Sequence, residues 1–214
     1  NKLWVGMAKE TAHQISTPLT SLMGWIEVLK EKKIKKDSIL EIEKDINRLE
    51  LIADRFSKMG ASPKLKNQNI IDLISMTIEY LRKRSGNKVI WNWNPPKKSL
   101  SIPINSTLIS WTIENIVKNG IDSIKGEGEI KIELVNLKNL VKILISDNGV
   151  GIPENAVNKI FNPGYTTKKS GWGLGLSLVE RIIVNFHNGK VMVKETKVGK
   201  GTTFEISLKK KLNL

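Results

Sequence analysis

Two asparagines, Asn115 and Asn119, stand four residues apart in IENIVKNGIDSI, with Asp122 three residues on. On a helix the three share one stripe. Asparagine is a poor helix former, so two on one stripe ask for a reason. A neutral amide oxygen can ligate Mg²⁺ beside a triphosphate without adding repulsive charge; an exposed polar face is the plainer alternative. Downstream, Asp147-Asn-Gly-Val-Gly follows a strand-like run. A carboxylate there can accept the exocyclic N–H of adenine, while Gly149 and Gly151 let backbone approach the ring. A simple Asp-Asn-Gly turn is the alternative. Gly171, Gly173 and Gly175 precede a helical pattern, whose free N–H groups can hold phosphate. A dinucleotide fingerprint would place its first glycine directly after a strand. Here Thr166, Thr167, Lys168 and Lys169 intervene, and they read as a lid whose lysines meet phosphate charge. Far upstream stands His13, in HQISTPLTSL. Nucleotide phosphates and an exposed imidazole together point to phosphoryl transfer.

These groups need elements to hold them. Val5, Ala8, Ala12, Ile15, Leu19, Leu22, Ile26 and Leu29 alternate at three and four residues, an a/d heptad seam. A lysine-rich turn, Lys32 to Lys36, follows, and Ser38 with Glu41 makes a capping box for a second helix. The second seam is Ile39, Ile42, Ile46, Leu49, Ala53 and Phe56. Two such helices cannot bury both seams alone, so a homodimer forming a four-helix bundle is expected. His13 lies just past the seam and faces outward, near Glu10, Gln14 and Thr17. Thr17-Pro18 follows, and a proline there bends the helix one turn beyond the imidazole. Gly60-Ala-Ser-Pro63 marks a linker.

From about residue 66 the pattern turns to mixed helix and strand. Helices are predicted over Ile70 to Arg84, Ser106 to Ile124 (N-capped by Asn105 or Ser106) and Gly173 to Phe186. Strands are predicted over Lys88 to Trp93, Glu129 to Asn136, Val141 to Ser146, Lys190 to Glu195 and Thr202 to Leu208. On the second helix Ile109, Ile113, Ile116, Val117, Ile121 and Ile124 make the apolar face. His187, before Asn-Gly at a helix end, suits packing or capping better than chemistry. The fold class is therefore α+β: an antiparallel helical hairpin over residues 1–60, then an α/β sandwich with a mixed sheet over residues 66–214.

The 214 residues carry 35 Lys and Arg against 21 Asp and Glu, a net charge of +14. The lysines are spread along the chain without a nucleic-acid motif, so no nucleic-acid partner is expected. Absence of cysteine excludes disulfides and thiolate metal sites, and fits a cytoplasmic location. No apolar run is long enough to cross a bilayer. The chain opens inside a helical pattern, so it is expected to continue a longer protein, with any membrane anchor upstream.

Taken together, His13, IENIVKNGIDSI, DNGVGIP, FNPGYTTK, GWGLGL and GKGTTF resemble the sensor histidine kinases of two-component signalling. The resemblance implies a dimerisation and histidine phosphotransfer hairpin, then an ATP-binding domain of the gyrase, Hsp90, histidine kinase and MutL type. It implies ATP and Mg²⁺ as cofactors, and a response regulator receiver domain as partner. His13 would be the phosphoacceptor, with Gln14 and Thr17 beside it in catalysis. Asn119 would be the Mg²⁺ ligand. Asn115, Lys118, Asn119, Asp122, Asp147, Gly149, Gly151, Thr166, Thr167, Lys168, Gly171, Gly173, Leu174, Gly175, Leu176 and Thr202 would line the nucleotide, and Phe161 would match the F box. Hydrolysing relatives place a glutamate base where Asn115 stands, and an amide cannot take a proton from water. The chain departs from the family in three places. Gln14 replaces the usual acid after the phosphoacceptor and cannot serve as its base, a role Glu10 could fill. Ser16 replaces an arginine, and Trp172 is bulky for its glycine box. Thr17 stands where the family orients water for dephosphorylating the partner. The alternative is a dimeric nucleotide-binding scaffold that transfers no phosphate.

Overall fold

The structure, a computed structural model, describes residues 14–15, 17–18, 20–25, 28–29, 40–42, 44–46, 49, 63–168 and 173–211. The chain divides into two units, Asn1–Ser62 and Pro63–Leu214. In the first unit every described residue is helical. The described seam residues Ile15, Leu22, Leu29, Ile42 and Leu49 are half-buried and Ile46 is exposed, as are Met23, Val28 and Leu40 nearby. Outside the described residues lie His13, Glu10, Ser16, the remaining seam positions, the Lys32 to Lys36 turn, Ser38 and the start of the linker. Lys169, Gly171 and Trp172 of the second unit lie outside them too.

In the second unit the elements run β1 (Lys66–Asn69), α1 (Ile70–Arg82), β2 (Val89–Trp93), β3 (Ser101–Ile104), α2 (Ser106–Ser123), β4 (Gly128–Asn136), β5 (Leu140–Asp147), α3 (Glu154–Val157), α4 (Gly175–Glu180), β6 (Lys190–Lys197) and β7 (Gly201–Lys209). The last turns of α4 continue as π-helix over Arg181–Phe186. Five strands form one sheet in the order β2-β4-β5-β7-β6. β2 runs parallel to β4 and every other pairing is antiparallel, so the sheet is mixed, as the sequence predicts. β1 and β3 form a separate antiparallel pair.

One face of the large sheet is apolar. Ile130, Ile132, Val141, Ile143, Ile145, Phe204, Ile206 and Leu208 are buried there. Against them pack α2, through Ile109, Ile113, Ile116 and Val117, and the α4 segment, through Leu178, Val179, Ile182 and Ile183. Full burial of side chains this size stabilises by roughly 1.5–3 kcal/mol each before entropy is counted. α1 covers α2 with Ile70, Ile71, Ile74 and Ile78. The opposite sheet face carries ion pairs, Lys131 to Glu133 at 3.0 Å and Lys142 to Glu205 at 2.8 Å. This is an α/β sandwich of two layers. Among the described residues, no helix is long and apolar enough to cross a membrane.

α2 begins at its expected cap. Asn105 Oδ1 accepts the Leu108 N–H at 3.2 Å, the N3 donor a capping side chain reaches. The Asn105 N–H donates to His187 Nε2 at 3.1 Å, and His187 Nδ1 lies 2.8 Å from the Ile182 carbonyl oxygen. His187 is thus a buried tie between the start of α2 and the end of the α4 segment. It packs, as its sequence setting implies.

The helix after the glycine run differs from expectation. It starts at Gly175, not Gly173. Gly173 has φ +64, and a Cβ there would lie 2.5 Å from the Tyr165 carbonyl oxygen and from the Gly164 carbonyl carbon. Only glycine allows that backbone and that approach. The Gly164 N–H donates to Gly173 O at 3.0 Å, which staples the preceding loop to the helix entrance.

Candidate functional site

The stripe predicted on α2 is present. Asn115 and Asn119 are half-buried, and Asp122 is exposed at the same edge. Asn115 Nδ2 donates to the Trp111 carbonyl at 2.9 Å, which fixes the amide. Its oxygen would lie 3.0 Å from a Cβ on Gly175, so Asn115 stands at the entrance of α4. α4 has no side-chain cap there. The first N–H groups of a helix have no partner within the helix, so this end suits an anion.

Lys118, one residue before Asn119, is exposed. Lys168 reaches across to the stripe. Its ammonium donates to Asn119 Oδ1 at 3.0 Å and to Asp122 Oδ2 at 2.7 Å. The two oxygens together therefore accept a cation, and the ammonium stands where a metal ion would meet Asn119. This is a fit for a hard cation that keeps most of its ligands as water and phosphate oxygen. No cluster of three or more acidic or histidine side chains that could hold a metal alone occurs among the described residues. Thr166 Oγ1 accepts the Lys168 N–H at 3.1 Å and so shapes the turn that aims Lys168, whereas Thr167 is exposed beside it.

Asp147 closes β5 beside the C-terminal turn of α2, against Gly120 and Ser123. Its Oδ1 accepts the Gly149 N–H at 2.9 Å and the Ser123 hydroxyl at 3.1 Å. Burial pushes its carboxyl up from the usual range, against the Gly149 N–H, the Ser123 hydroxyl and the Thr202 N–H, which favour the charged form. Thr202 is paired with Asp147 across the β5–β7 ladder, and its hydroxyl lies 3.1 Å from that of Thr196. The turn after Asp147 is held on both sides. The Val150 N–H donates to Ser123 O, the Gly199 N–H to Val150 O, and the Ile152 N–H to Thr196 Oγ1. Gly151 sits inside this turn, close against Lys197. Phe161 lies edge-on to Phe204, with ring centroids 6.4 Å apart, and anchors the loop that carries Lys168.

The structure thus gathers Asn115, Asn119, Asp122 and Lys168 along the α2 edge, with Gly173, Leu174, Gly175 and Leu176 at the entrance of α4. Asp147, Gly149, Gly151 and Thr202 gather beside the last turn of the same helix, at Gly120 and Ser123. Leu174 is buried and Leu176 half-buried. Ser123 and Thr196 are absent from the sequence reading. Ser123 could have been found, since it continues the four-residue spacing of Asn115 and Asn119. Thr196 could not, because only the strand pairing brings it to the turn. Gln14 and Thr17 are helical, half-buried and exposed respectively, in the other unit.

The pattern of the family described as "Histidine kinase-, DNA gyrase B-, and HSP90-like ATPase" matches residues 105–212. Among curated proteins, the chain is 28% identical to nitrogen regulation protein NtrY of Azorhizobium caulinodans, over 96% of this chain and 29% of that one. It is 31% identical to sporulation kinase D of Bacillus subtilis, over 94% of this chain and 41% of that one. The chain therefore spans less than half the length of either relative. Among solved structures, the catalytic domain of histidine kinase ThkA superposes with a TM-score of 0.61 at 29% identity, covering 69% of this chain and 96% of that one. ThkA in complex with response regulator protein TrrA superposes with a TM-score of 0.63 at 24% identity, covering 96% of this chain and 61% of that one.

Proposed function

Because the chain belongs to the histidine kinase-, DNA gyrase B- and HSP90-like ATPase family, we propose that it is an ATP-dependent protein-histidine kinase. The observation that carries this reading is the last turns of α2, which bear a cation-accepting oxygen pair at Asn119 and Asp122 and, through Ser123, touch the half-buried carboxylate of Asp147 at the end of β5. Asp147 would hold the adenine amino group. The entrance of α4, with Lys168 and Lys118, would meet the phosphates, and Asn119 would hold Mg²⁺. The metal ion supplies shielding of the phosphate charge.

Residues 1–60 would form the dimerisation and phosphotransfer hairpin, paired with a second copy as a four-helix bundle. The exposure of Met23, Leu40 and Ile46 in a single chain supports a second copy. The γ-phosphoryl group would pass in line to a ring nitrogen of His13, with Gln14 orienting the ring. It would then move to an aspartate of a response regulator. The pairing of ThkA with TrrA is in keeping with such a partner. Thr17, exposed on its helix, has the hydroxyl to orient water for the reverse, phosphatase step. Asn115 has no basic atom to activate water, which favours transfer over hydrolysis.

The test is incubation with Mg²⁺ and γ-labelled ATP. Acid-labile, base-stable label that vanishes in His13→Ala, with ATP affinity unchanged, is the expected result. Gln14 supports a second reading, a dimeric scaffold that binds nucleotide only. Nucleotide binding without any label on the wild-type chain would favour it.

A further inference from the structure

Ser123 ends α2 and touches the candidate site in three ways. Its hydroxyl lies 3.1 Å from Asp147 Oδ1 and 2.8 Å from the Gly120 carbonyl oxygen. Its own carbonyl accepts the Val150 N–H at 3.1 Å. Gly149 is packed so closely on it that a Cβ there would lie 1.8 Å from Ser123 Oγ. Back-bonding to Gly120 O is an ordinary habit of serine in helices and would give the hydroxyl a purely local task. The hydroxyl has one proton, however, and two acceptors compete for it. An ionised carboxylate is the stronger acceptor. With the proton on Gly120, lone pairs of Ser123 Oγ and Asp147 Oδ1 would face each other across a half-buried gap.

We propose that Ser123 is a positioning residue for nucleotide binding: its hydroxyl and the Gly149 N–H clamp Asp147 Oδ1, so that Oδ2, lying over Gly120, is presented to the amino group of the adenine. This rests on the reading of Asp147 as the adenine acceptor. The side-chain oxygen that Ser123 holds is not the one that meets the ligand, so Ser123 acts through Asp147 alone. Asp147 answers to burial, the Gly149 N–H, the Ser123 hydroxyl and the Thr202 N–H, and no charged side chain among the described residues contributes. The hydroxyl favours the charged carboxylate, so its loss moves the acid limb of adenine binding to higher pH.

The experiment measures the affinity of the full chain for ATP and for inosine triphosphate, whose ring carries a carbonyl in place of the amino group, across a pH series. Ser123→Ala is expected to weaken ATP roughly three- to tenfold, the range of one net hydrogen bond. It should leave inosine triphosphate nearly unchanged and shift the acid limb upward. Ser123→Cys, of similar size but a weak donor, should behave like the alanine variant. In an Asp147→Asn background, Ser123→Ala should add little. Equal weakening of both nucleotides with an unmoved acid limb would show that the hydroxyl serves the helix end only, and would overturn the proposal. If Asp147→Asn itself keeps the preference for ATP, the reading of Asp147 is what fails.

Discussion

Replacing Gly201 with alanine should damage the nucleotide end of the sheet far more than replacing its neighbour Gly199. Gly201 has φ +104, and a Cβ there would lie 1.9 Å from the Asp147 carbonyl oxygen and 2.7 Å from Asn148 Cα. Gly199 has φ +78, with nothing within 4 Å of its Cβ position. Both substitutions carry the cost of a left-handed alanine, about 1–2 kcal/mol. Only Gly201→Ala must also push β7 away from β5 at the Asp147–Thr202 pair. Loss or lengthening of a ladder hydrogen bond there adds about 1 kcal/mol or more. The expected totals are about 3 kcal/mol for Gly201→Ala and about 1.5 kcal/mol for Gly199→Ala. For a unit of this size each kcal/mol moves the unfolding midpoint by about 2–4 °C, so the two should fall by about 6–12 °C and 3–6 °C. Thermal unfolding followed by circular dichroism reads both, and ATP titration reads the displaced carboxylate. The reasoning is refuted if the two variants unfold together, or if Gly201→Ala binds ATP as the wild type does.

Lys168→Ala removes an ion pair whose side chains are about 40% exposed. Such pairs contribute about 0–1 kcal/mol, so the midpoint should move by less than about 4 °C while ATP affinity falls; a large thermal loss with full affinity would make Lys168 a structural strut. Burial holds His187 below its usual value of 6.5, against its bond to Ile182. The unfolded chain therefore takes up a proton that the folded chain refuses. Stability is complete above about pH 6.5 and is lost as pH falls from there towards the lower folded value. Urea titrations between about pH 7 and pH 5 should show a smaller loss in His187→Phe than in wild type. Ile113→Ala, at a fully buried position on α2, should cost about 2–5 kcal/mol and be detected in the same titrations.

α2 and the β4–β5 hairpin are legible in the sequence because each carries its own period. The isoleucines of α2 mark one face, its asparagines another, and Asn105 supplies a cap that the structure uses. The β1–β3 pair is not legible: Lys66 to Asn69 is polar throughout, and Pro103 interrupts the other strand, so neither shows alternation. The glycine run misleads by two residues, because a residue at φ +64 looks like any other glycine in sequence. In the site, side chains on a single element could be grouped from spacing alone. The reach of Lys168 to Asn119, across 49 residues of chain, could be expected only as a lid and not as a pair. The contacts of Ser123 and Thr196 depend on where the turn after β5 lands.

The place of β7 in the sheet has a consequence for the order in which the molecule becomes competent. β7 lies between β5 and β6 and supplies Thr202 and Gly201 to the Asp147 end. It is also the final strand of the unit. A chain emerging from the ribosome can assemble β2, β4 and β5 with α2 well before this strand appears. Until then the carboxylate end of β5 lacks one wall and β6 has nothing to pair with. Completion of the Asp147 end thus waits on β7, and removing that strand is expected to abolish nucleotide binding at this site rather than merely weaken it.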